Sequence, residues 1–367
     1  MPITDDNIPL VKVAMPPREV LMPALESVIY SGMIAEGQFV YDFEAALSEK
    51  FGIDNVLATS SGTAALHLAM LLSGVEPGDE VITTSMTAEP TNTTILQVGA
   101  KPVFADVEPE NGNLDPVSVE SLITEKTKAI CVVHYAGYPA RLKELRKLSD
   151  KYGLSLIEDC AHALGAEYDC QPIGTIGDFG IFSFQAIKHM TTVDGGALVM
   201  KKSEKMSEAK RLRWFGMAKG VPRTEVDITK LGFKYNMNNV AAVIGLQQLK
   251  FISPLLQRHQ ANGHYFDQAI SNIPGIESAK VESFAKSAYW LYTLLVDDSD
   301  DVERSLASKG ITASKLHRPN HLHSIFKPLA NSLPELERFY HRLVHIPCGW
   351  WVSDDDRDLI IETLKRG

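Results

Sequence analysis

Lys188 is the residue whose type and setting most clearly suggest chemistry. It lies in an apolar and hydroxyl-rich stretch, residues 182–192, with no acidic side chain beside it. Lysine is seldom buried without a role, and an apolar setting with cationic neighbours lowers its pKa, so that the neutral amine can attack an aldehyde. A solvated surface lysine is the ordinary alternative. The stretch favours a Schiff-base lysine.

Asp159 is the second candidate, at the end of a segment whose apolar run covers residues 154–157. A carboxylate can keep a pyridine nitrogen protonated by ion pairing, which lets the ring accept electrons. The alternative is that Asp159 only bonds N–H groups of the following turn. Taken together, Lys188 and Asp159 suggest pyridoxal phosphate (PLP) as the cofactor.

Gly62 and Thr63 form the third element, between a short strand and a helix rich in Ala and Leu. The free N–H groups and the dipole of a helix N-terminus bind phosphate, Gly62 lets the anion approach, and the Thr63 hydroxyl can add a hydrogen bond. Such residues also form ordinary N-caps. The position ahead of Asp159 and Lys188 favours a phosphate site.

Composition excludes several classes of protein. The 367 residues are 45% apolar, which is enough for a large core and more than one average domain. With 36 basic and 46 acidic residues, the formal charge of −10 argues against nucleic acid as a partner. The four scattered cysteines are typical of reduced thiols, and the first thirty residues, with Asp5 and Asp6, do not resemble a signal peptide. We also find no run of 18 apolar residues, so we expect a cytoplasmic protein without a membrane span.

The elements that must position these residues follow an α/β pattern. Strand-length apolar runs at residues 129–134, 155–158, 179–184 and 196–200 alternate with helical patterns such as residues 142–152. Continuously apolar strands are typical of a parallel or mixed sheet that is covered on both faces. Because ligands of such sheets bind at the C-terminal strand ends, Asp159 and the Lys188 loop are in suitable places.

A second, smaller α+β domain is expected after about residue 240. The sequence predicts a long helix over residues 239–264, a strand over 288–296 and a helix over 301–309. We therefore predict a large domain over residues 1–240, whose N-terminal segment packs on the small domain, and a small domain over 241–367.

The ordered set of motifs resembles the DegT/DnrJ/EryC1/StrS family of nucleotide-sugar aminotransferases. The motifs run through nearly the whole chain and include SGTAAL (61–66), VHYAGYP (133–139), EDCAHA (158–163), FSFQAIK (182–188), LGFKYNMN (231–238) and IPCGWW (346–351). The resemblance implies the PLP-dependent transferase fold type I, like aspartate aminotransferase, with a large mixed-sheet domain and a smaller α+β C-terminal domain. It also implies PLP, with pyridoxamine phosphate (PMP) as the intermediate form.

The resemblance assigns further cofactor contacts. It implies that His162 contacts the ring hydroxyl or ring face, that Ser183 contacts the phosphate, and that Thr87 belongs to the cofactor site. Lys234 stands where many members have an asparagine that reaches the phosphate of the neighbouring subunit. That position implies a homodimer with shared active sites, although a solvated Lys234 is about as compatible with the sequence.

Three residues depart from the family pattern. Ala88 stands where many members have an aromatic residue that stacks on the pyridine ring, so we expect that face to be covered otherwise or less tightly. Val193 and Asp194 replace a Gly-Glu pair. Because valine does not easily take the positive φ that glycine can, we expect the loop to differ locally.

The segment of residues 315–326 aligns with a His-rich segment at the substrate mouth in the family. His317, Arg318 and Asn320 are therefore candidates for substrate contacts, and the Arg318 guanidinium suits a diphosphate. A metal site from His317, His321 and His323 is disfavoured, because Pro319 breaks a helical spacing and no acid or cysteine completes the set.

The sequence thus predicts a PLP-dependent aminotransferase. Its expected acceptor is a nucleotide-linked keto-deoxysugar, aminated at C4 or C3, and its expected donor is L-glutamate by family likeness. The product would enter a surface polysaccharide, lipopolysaccharide or glycosylated metabolite. Two alternatives stay open: a sugar dehydratase of the same fold, in which a histidine replaces the lysine, and a non-catalytic ligand-sensing regulator. Lys188 argues against the first, although His189 lies beside it.

Overall fold

The computed structural model describes residues 7–366, so Asp5 and Asp6 lie outside the described residues. The helices of this part are α1 (Arg18–Tyr30), α2 (Gln38–Phe51), α3 (Gly62–Leu72), α4 (Glu89–Gln97), α5 (Pro116–Ser121), α6 (Leu142–Tyr152), α7 (Met206–Arg213), α8 (Asn239–Ile270), α9 (Ser299–Ala307), α10 (Pro334–Arg342) and α11 (Asp354–Leu364). The strands are β1 (Val56–Thr59), β2 (Glu80–Thr84), β3 (Lys101–Ala105), β4 (Thr127–Val133), β5 (Ser155–Asp159), β6 (Glu167–Tyr168), β7 (Gln171–Pro172), β8 (Phe179–Ser183), β9 (Gly196–Met200), β10 (Ile276–Ser278), β11 (Ala285–Lys286), β12 (Tyr292–Val296) and β13 (Leu343–Ile346).

A seven-stranded mixed sheet carries the site, in the order β1-β9-β8-β5-β4-β2-β3. The strands β3, β2, β4, β5 and β8 are parallel neighbours, and β9 is antiparallel to both β8 and β1. Nearly every residue of β4, β5, β8 and β9 is buried, because helices cover both faces. The four predicted strands here are confirmed to within two residues.

The helix α6 shows why the crossovers form where the sequence predicts them. Leu142, Leu145 and Leu148 are buried at helical spacing on one face, and Gly153 ends the helix with a φ of +65°. The prediction of residues 142–152 is confirmed at both ends. This crossover returns the chain to the start of β5, which leads directly to Asp159.

A second core surrounds the antiparallel sheet β10-β12-β13. The predicted strand over residues 288–296 begins only at Tyr292, because residues 288–291 bond instead to the loop after β4. Residue 8 pairs with Ile311, and the Trp351 indole N–H donates to the Pro9 carbonyl oxygen, so the start of the described chain packs on this part of the molecule.

The helix α8 extends beyond its predicted end, to Ile270, and packs against α1, α2 and α11. Its 32 residues are long and apolar enough to cross a membrane by length and composition, with a mean hydropathy of 1.2 in the most apolar window. Half of that window is buried inside the protein, and core helices of globular proteins pass the same test. The expectation concerned an unbroken run of 18 apolar residues, and α8 contains none, because Gln247, Gln248 and Lys250 interrupt its apolar stretch.

Candidate active site

A cavity of about 360 Å³ lies at the C-terminal ends of β4, β5 and β8. Its walls come from the N-termini of α3 and α4, the end of β5, and the two arms of the loop between β8 and β9. Parallel strands place their carboxyl ends at one edge of the sheet, so segments far apart in sequence meet here. Seven of the predicted site residues line this cavity: Gly62, Thr63, Thr87, Asp159, His162, Ser183 and Lys188.

Lys188 is held by a loop that is closed at its base. The Phe184 N–H donates to the Gly195 carbonyl oxygen at 2.8 Å, and the Thr192 N–H donates to the Phe184 carbonyl oxygen at 2.9 Å. Loss of hydration lowers the pKa of Lys188 from 10.5 to about 7, against the opposing effect of Asp159. A large fraction of the amine is therefore neutral near pH 7 and able to act as a nucleophile or base.

Asp159 is buried at the cavity wall, with 4% of its surface exposed. One carboxylate oxygen accepts a hydrogen bond from the Thr91 hydroxyl at 2.8 Å, and the other accepts from the Ala161 N–H at 3.1 Å. Asp159 thus bonds the following turn, as the alternative predicts, and it also lines the cavity, where it is available to a ligand. Desolvation raises the pKa of Asp159, and its two hydrogen-bond donors oppose that shift.

The N-terminus of α3 meets the end of β8 at Gly62. Ser61 is the N-cap and accepts from the Ala64 N–H at 3.0 Å, so the ordinary cap is present. A Cβ on Gly62 would lie 2.9 Å from the Ser183 Cβ, which explains why glycine is required here. Gly62, Thr63 and Ser183 therefore form a tight polar corner at the positive end of a helix dipole.

His162 and His317 form a nearly parallel pair of rings next to Lys188. Their centroids are 5.6 Å apart with an interplanar angle of 4°, and His162 also stacks on Trp290 at 4.0 Å. Burial lowers the pKa of His162 well below its ordinary value and that of His317 to about 4. Within the described part of the chain, the His162 Nδ1 and the His317 Nε2 are buried without a hydrogen-bond partner. His162 lines the cavity, whereas His317 lies beside the His162 ring and outside the cavity lining.

The structure differs from the sequence prediction at Asn320. This residue has no exposed surface, and its amide donates to the Thr87 carbonyl oxygen at 2.8 Å and accepts from Asn92 at 2.9 Å. Asn320 therefore holds the Thr87 segment from behind and is not placed to contact a substrate. Arg318, in contrast, is exposed and donates to the Leu322 carbonyl oxygen at 3.2 Å.

The other histidines of this segment do not gather around one point with His317. The His321 Nδ1 lies 2.8 Å from the Ser85 hydroxyl oxygen, and the His323 Nε2 lies 3.5 Å from a Glu89 carboxylate oxygen. The two rings lie beside different residues, Ser85 after β2 and Glu89 at the start of α4.

Lys234 lies outside the cavity of its own chain. Its Nζ lies 3.9 Å from the centroid of the Trp214 ring and 3.0 Å from the side-chain oxygen of Asn236. Desolvation and the nearby Lys219 lower the pKa of Lys234.

Val193 does take a positive φ, the conformation that valine adopts only with difficulty. Its φ is +73°, and its side chain is 57% exposed. The Thr191 hydroxyl accepts from the Val193 N–H at 2.9 Å and holds the turn in this conformation. Ala88 lines the cavity, and so does His162, whose ring stacks on that of Trp290.

Two residues with direct contacts to the predicted pair were missed from the sequence. Thr91 donates to Asp159 and lies 2.9 Å from the Thr87 hydroxyl, and Trp290 contacts Lys188. Thr91 could have been found, because it opens a helix after a strand that ends at the same sheet edge. Trp290 has no such signal, since it precedes a strand of the other sheet.

These residues fit pyridoxal phosphate. The Gly62 corner offers N–H groups and a helix dipole to a phosphate, Asp159 offers a carboxylate to a ring nitrogen, and Lys188 offers a partly neutral amine. The unpartnered His162 nitrogen offers one more contact on the cavity wall.

Comparisons with known proteins identify the family of the chain. The chain matches the DegT/DnrJ/EryC1/StrS aminotransferase family over residues 18–365. The crystal structure of AtS13 from Actinomadura melliaura superposes with a TM-score of 0.96 at 34% identity, covering 100% of both chains. The sugar aminotransferase CalS13 from Micromonospora echinospora gives 0.94 at 36% identity, covering 98% of this chain and 100% of CalS13.

A third relative is known in two cofactor forms. Spr1654 from Streptococcus pneumoniae has been solved in a PLP form and in a PMP form, with TM-scores of 0.89 and 0.90 at 29% identity; each covers 98% of this chain, and this chain covers 98% and 97% of them. The protein belongs to the DegT/DnrJ/EryC1/StrS aminotransferase family and has the PLP-dependent fold type I.

Proposed function

We propose that this family member uses PLP to transfer an amino group from L-glutamate to a keto carbon, C4 or C3, of a nucleotide-linked deoxysugar in the cytoplasm. The product then serves the synthesis of a polysaccharide, lipopolysaccharide or glycoside. The observation that carries the proposal is the meeting of Lys188, Asp159 and the N-terminus of α3 in one cavity. A partly neutral lysine, a buried carboxylate and a phosphate corner are the groups that a PLP-dependent aminotransferase needs.

The chemistry divides between the cofactor and the chain. Bound in the cavity, PLP supplies a reactive aldehyde carbon and an electron-accepting ring. The Lys188 amine holds and moves the proton at its Nζ, because its lowered pKa lets it gain and lose that proton near neutral pH. The Asp159 carboxylate would pair with the ring nitrogen of the cofactor, and Thr91 and Ala161 orient its oxygens. Gly62, Thr63 and Ser183 would hold the phosphate, and Thr87 and His162 would contact the ring.

His317 and Arg318 are the substrate contacts that we retain. The unpartnered His317 nitrogen can bond a sugar hydroxyl, and the exposed Arg318 guanidinium can bind a diphosphate with two parallel hydrogen bonds. Asn320 supports them indirectly, because its amide fixes the segment that carries Thr87.

A homodimer with shared active sites is part of the proposal. Lys234 does not line the cavity of its own chain, and large apolar side chains are exposed on two neighbouring segments: Tyr30, Met33, Ile34, Phe215 and Leu231. These segments are tied together by ion pairs from Arg213 and Lys219 to Glu36. An exposed apolar surface of this kind suits a second copy of the chain. We also propose that α8 joins a large domain, residues 1–240, to a small one, residues 241–367.

His189 does not favour the dehydratase alternative. Its Nε2 bonds the Ala288 carbonyl oxygen at 3.1 Å, its ring packs on His259, and its pKa is lowered by burial. It therefore supports the loop from behind, and Lys188 occupies the position of the reactive group.

Absorbance spectroscopy tests the first half of the proposal. The wild-type protein with PLP is expected to show a visible band that glutamate bleaches, and Lys188→Ala is expected to lack the lysine-dependent band. Lys230→Ala removes an exposed lysine that does not line the cavity and should behave as wild type. Absence of any bound chromophore in the wild-type protein would overturn the use of PLP.

Acceptor profiling tests the second half. The protein is first treated with glutamate and then mixed with nucleotide-linked 4-keto and 3-keto deoxysugars. Mass spectrometry detects the amino product, and absorbance follows the return of the visible band. Arg318→Lys keeps the charge but loses the bidentate geometry, so it should raise KM for the nucleotide sugar and leave the glutamate half-reaction unchanged. Turnover with free keto acids alone, and none with either sugar, would contradict the proposed substrate class.

A further inference from the structure

The indole of Trp290 packs directly against the amine of Lys188. The Lys188 Nζ lies 4.0 Å from the ring centroid, and the indole N–H donates to the Ile187 carbonyl oxygen at 2.9 Å. Only 2% of Trp290 is exposed. Its effect on any ligand in the cavity must therefore pass through the residues that it touches.

The backbone around Trp290 is fixed by the loop after β4. The Ala288 N–H donates to the Gly137 carbonyl oxygen at 2.9 Å, and the Leu291 N–H donates to the Ala136 carbonyl oxygen at 3.2 Å. Gly137 has a φ of +97°, and a Cβ there would lie 2.8 Å from the backbone nitrogen of Trp290. Glycine is therefore needed at 137, both for its conformation and for this close approach.

Trp290 also contacts a residue of the cavity wall. The rings of Trp290 and His162 are stacked, with centroids 4.0 Å apart and an interplanar angle of 19°. One buried indole thus contacts the lysine amine, the backbone of the lysine loop and a residue that lines the cavity.

The other ionisable groups near Lys188 come from three parts of the chain. Asp159 at the end of β5 attracts the ammonium ion. His162 after β5, His189 in the lysine loop and His317 in the C-terminal part are held neutral, because burial lowers the pKa of each. The face of an indole ring attracts a cation, most strongly where water is excluded. Trp290 is therefore a second group, besides Asp159, that favours the charged amine.

We propose that Trp290 is the positioning residue for Lys188, with its indole N–H fixing the loop backbone and its ring face stabilising the ammonium form of the free amine. This inference rests on the proposed function in giving Lys188 its chemical role. Trp290 acts through Lys188 and not on the substrate itself.

Competitive acetylation of the cofactor-free protein measures the effect directly. Trace acetic anhydride is applied over a pH series, and mass spectrometry gives the extent of labelling at Lys188 relative to the other lysines. Trp290→Leu removes both the ring face and the N–H, so the ammonium form loses stabilisation. The pH midpoint of Lys188 labelling should fall by about one unit, while the other lysines keep theirs.

Three matched variants separate the contributions of the indole. The 5-fluorotryptophan analogue at position 290 keeps the shape and the N–H but weakens the negative face of the ring, so a smaller downward shift is expected. Trp290→Phe keeps a ring face without the N–H and should stay near the wild-type midpoint. The Trp350 ring faces the Lys12 amine at 5.7 Å, so Trp350→Leu should leave the labelling midpoint of Lys188 unchanged.

Unchanged midpoints in Trp290→Leu and in the fluorinated protein would overturn the proposal. Thermal melts identify a leucine variant that fails to fold, and in that case the fluorinated protein alone decides. Labelling requires no cofactor, so it is independent of the proposed function. A wild-type protein that does not bind PLP, but whose Lys188 midpoint depends on Trp290, would refute the enzyme function and leave the positioning role intact.

Discussion

Two neighbouring carboxylates on β5, Glu158 and Asp159, have opposite surroundings. Both are buried, at 0% and 4% exposure, but successive side chains of a strand point to opposite faces. Glu158 lies in a closed site, accepting from the N–H groups of Gly174, Ile176 and Gly177 and from the His134 ring. Asp159 has two donors and faces a cavity.

The closed site also has a defined proton position. The His134 Nδ1 accepts from the Ala140 N–H at 3.1 Å, so its proton must be on Nε2, which donates to Glu158 at 3.2 Å. Glu158, His134 and Cys160 come close enough together to resemble a metal site. The carboxylate oxygens are already used by four donors, however, which assigns the cluster to structure. An acid with all its acceptors occupied stabilises a fold, whereas one with free acceptor capacity beside a cavity is available to a ligand.

Asp159→Asn should give the largest effect. Losing the charge beside the cofactor ring should lower kcat by about 10²–10³-fold, the effect of removing one charge-stabilising group from an active site. The melting temperature should stay the same or rise, because a buried charge with raised pKa is removed. Stopped-flow absorbance of the glutamate half-reaction and a thermal melt measure both quantities. If the variant lost stability but kept full activity per folded molecule, Asp159 would be the structural carboxylate, contrary to the comparison with Glu158.

Glu158→Gln should show the opposite pattern. An amide has one acceptor oxygen, and its NH₂ group would face backbone N–H donors in the closed site, so we expect a loss of about 2–4 kcal/mol in unfolding free energy. Chemical denaturation measures this loss, and kcat of the folded fraction should be retained. A stable variant with impaired catalysis would mean that Glu158 acts on the reaction, contrary to its closed surroundings.

Thr91→Val sharpens the comparison by removing one donor from Asp159 without changing shape. The Thr91 hydrogen bond lowers the pKa of Asp159, so its loss should raise that pKa further. When the pH is lowered, the Asp159 carboxylate of the variant would then become protonated at a higher pH than that of the wild-type protein. The acid limb of the kcat/KM profile should therefore move upward by about one pH unit.

Thr91→Ser is the matched control, because it keeps the hydroxyl and should keep the wild-type profile. A pH profile that is identical in the valine variant would show that the Thr91 hydroxyl does not act on Asp159.

The sequence allowed the fold and the shared location of the candidate residues to be predicted, for a physical reason. Strand ends and helix N-termini carry local signals, and parallel topology gathers them at one edge, so Lys188, Asp159 and Gly62 could be placed together. Trp290 could not be found in this way, because its contact with Lys188 depends on how residues 288–291 pack against the loop after β4.

Asn320 shows the converse limit. Its place in a His-rich segment predicted a substrate contact, but burial turned its amide toward Thr87 and Asn92. Sequence spacing gives proximity to the site, whereas the direction of a side chain is set by packing between distant segments.

Val193→Gly gives the smallest expected effect and tests strain on the cavity side of the sheet. The closed site has glycine where the chain needs a positive φ, with Gly174 at +90°, whereas the loop beside the cavity has Val193 at +73°. Relief of about 1–2 kcal/mol of steric strain should outweigh the greater entropy of glycine in the unfolded chain, about 0.5–1 kcal/mol. Urea unfolding should therefore show a gain of about 0.5–1 kcal/mol, because the exposed valine contributes little packing.

Val193→Ala keeps the Cβ and should gain less. Destabilisation by glycine would mean that the loop is held without strain, and the two sides of β5 would then differ only in their hydrogen bonding.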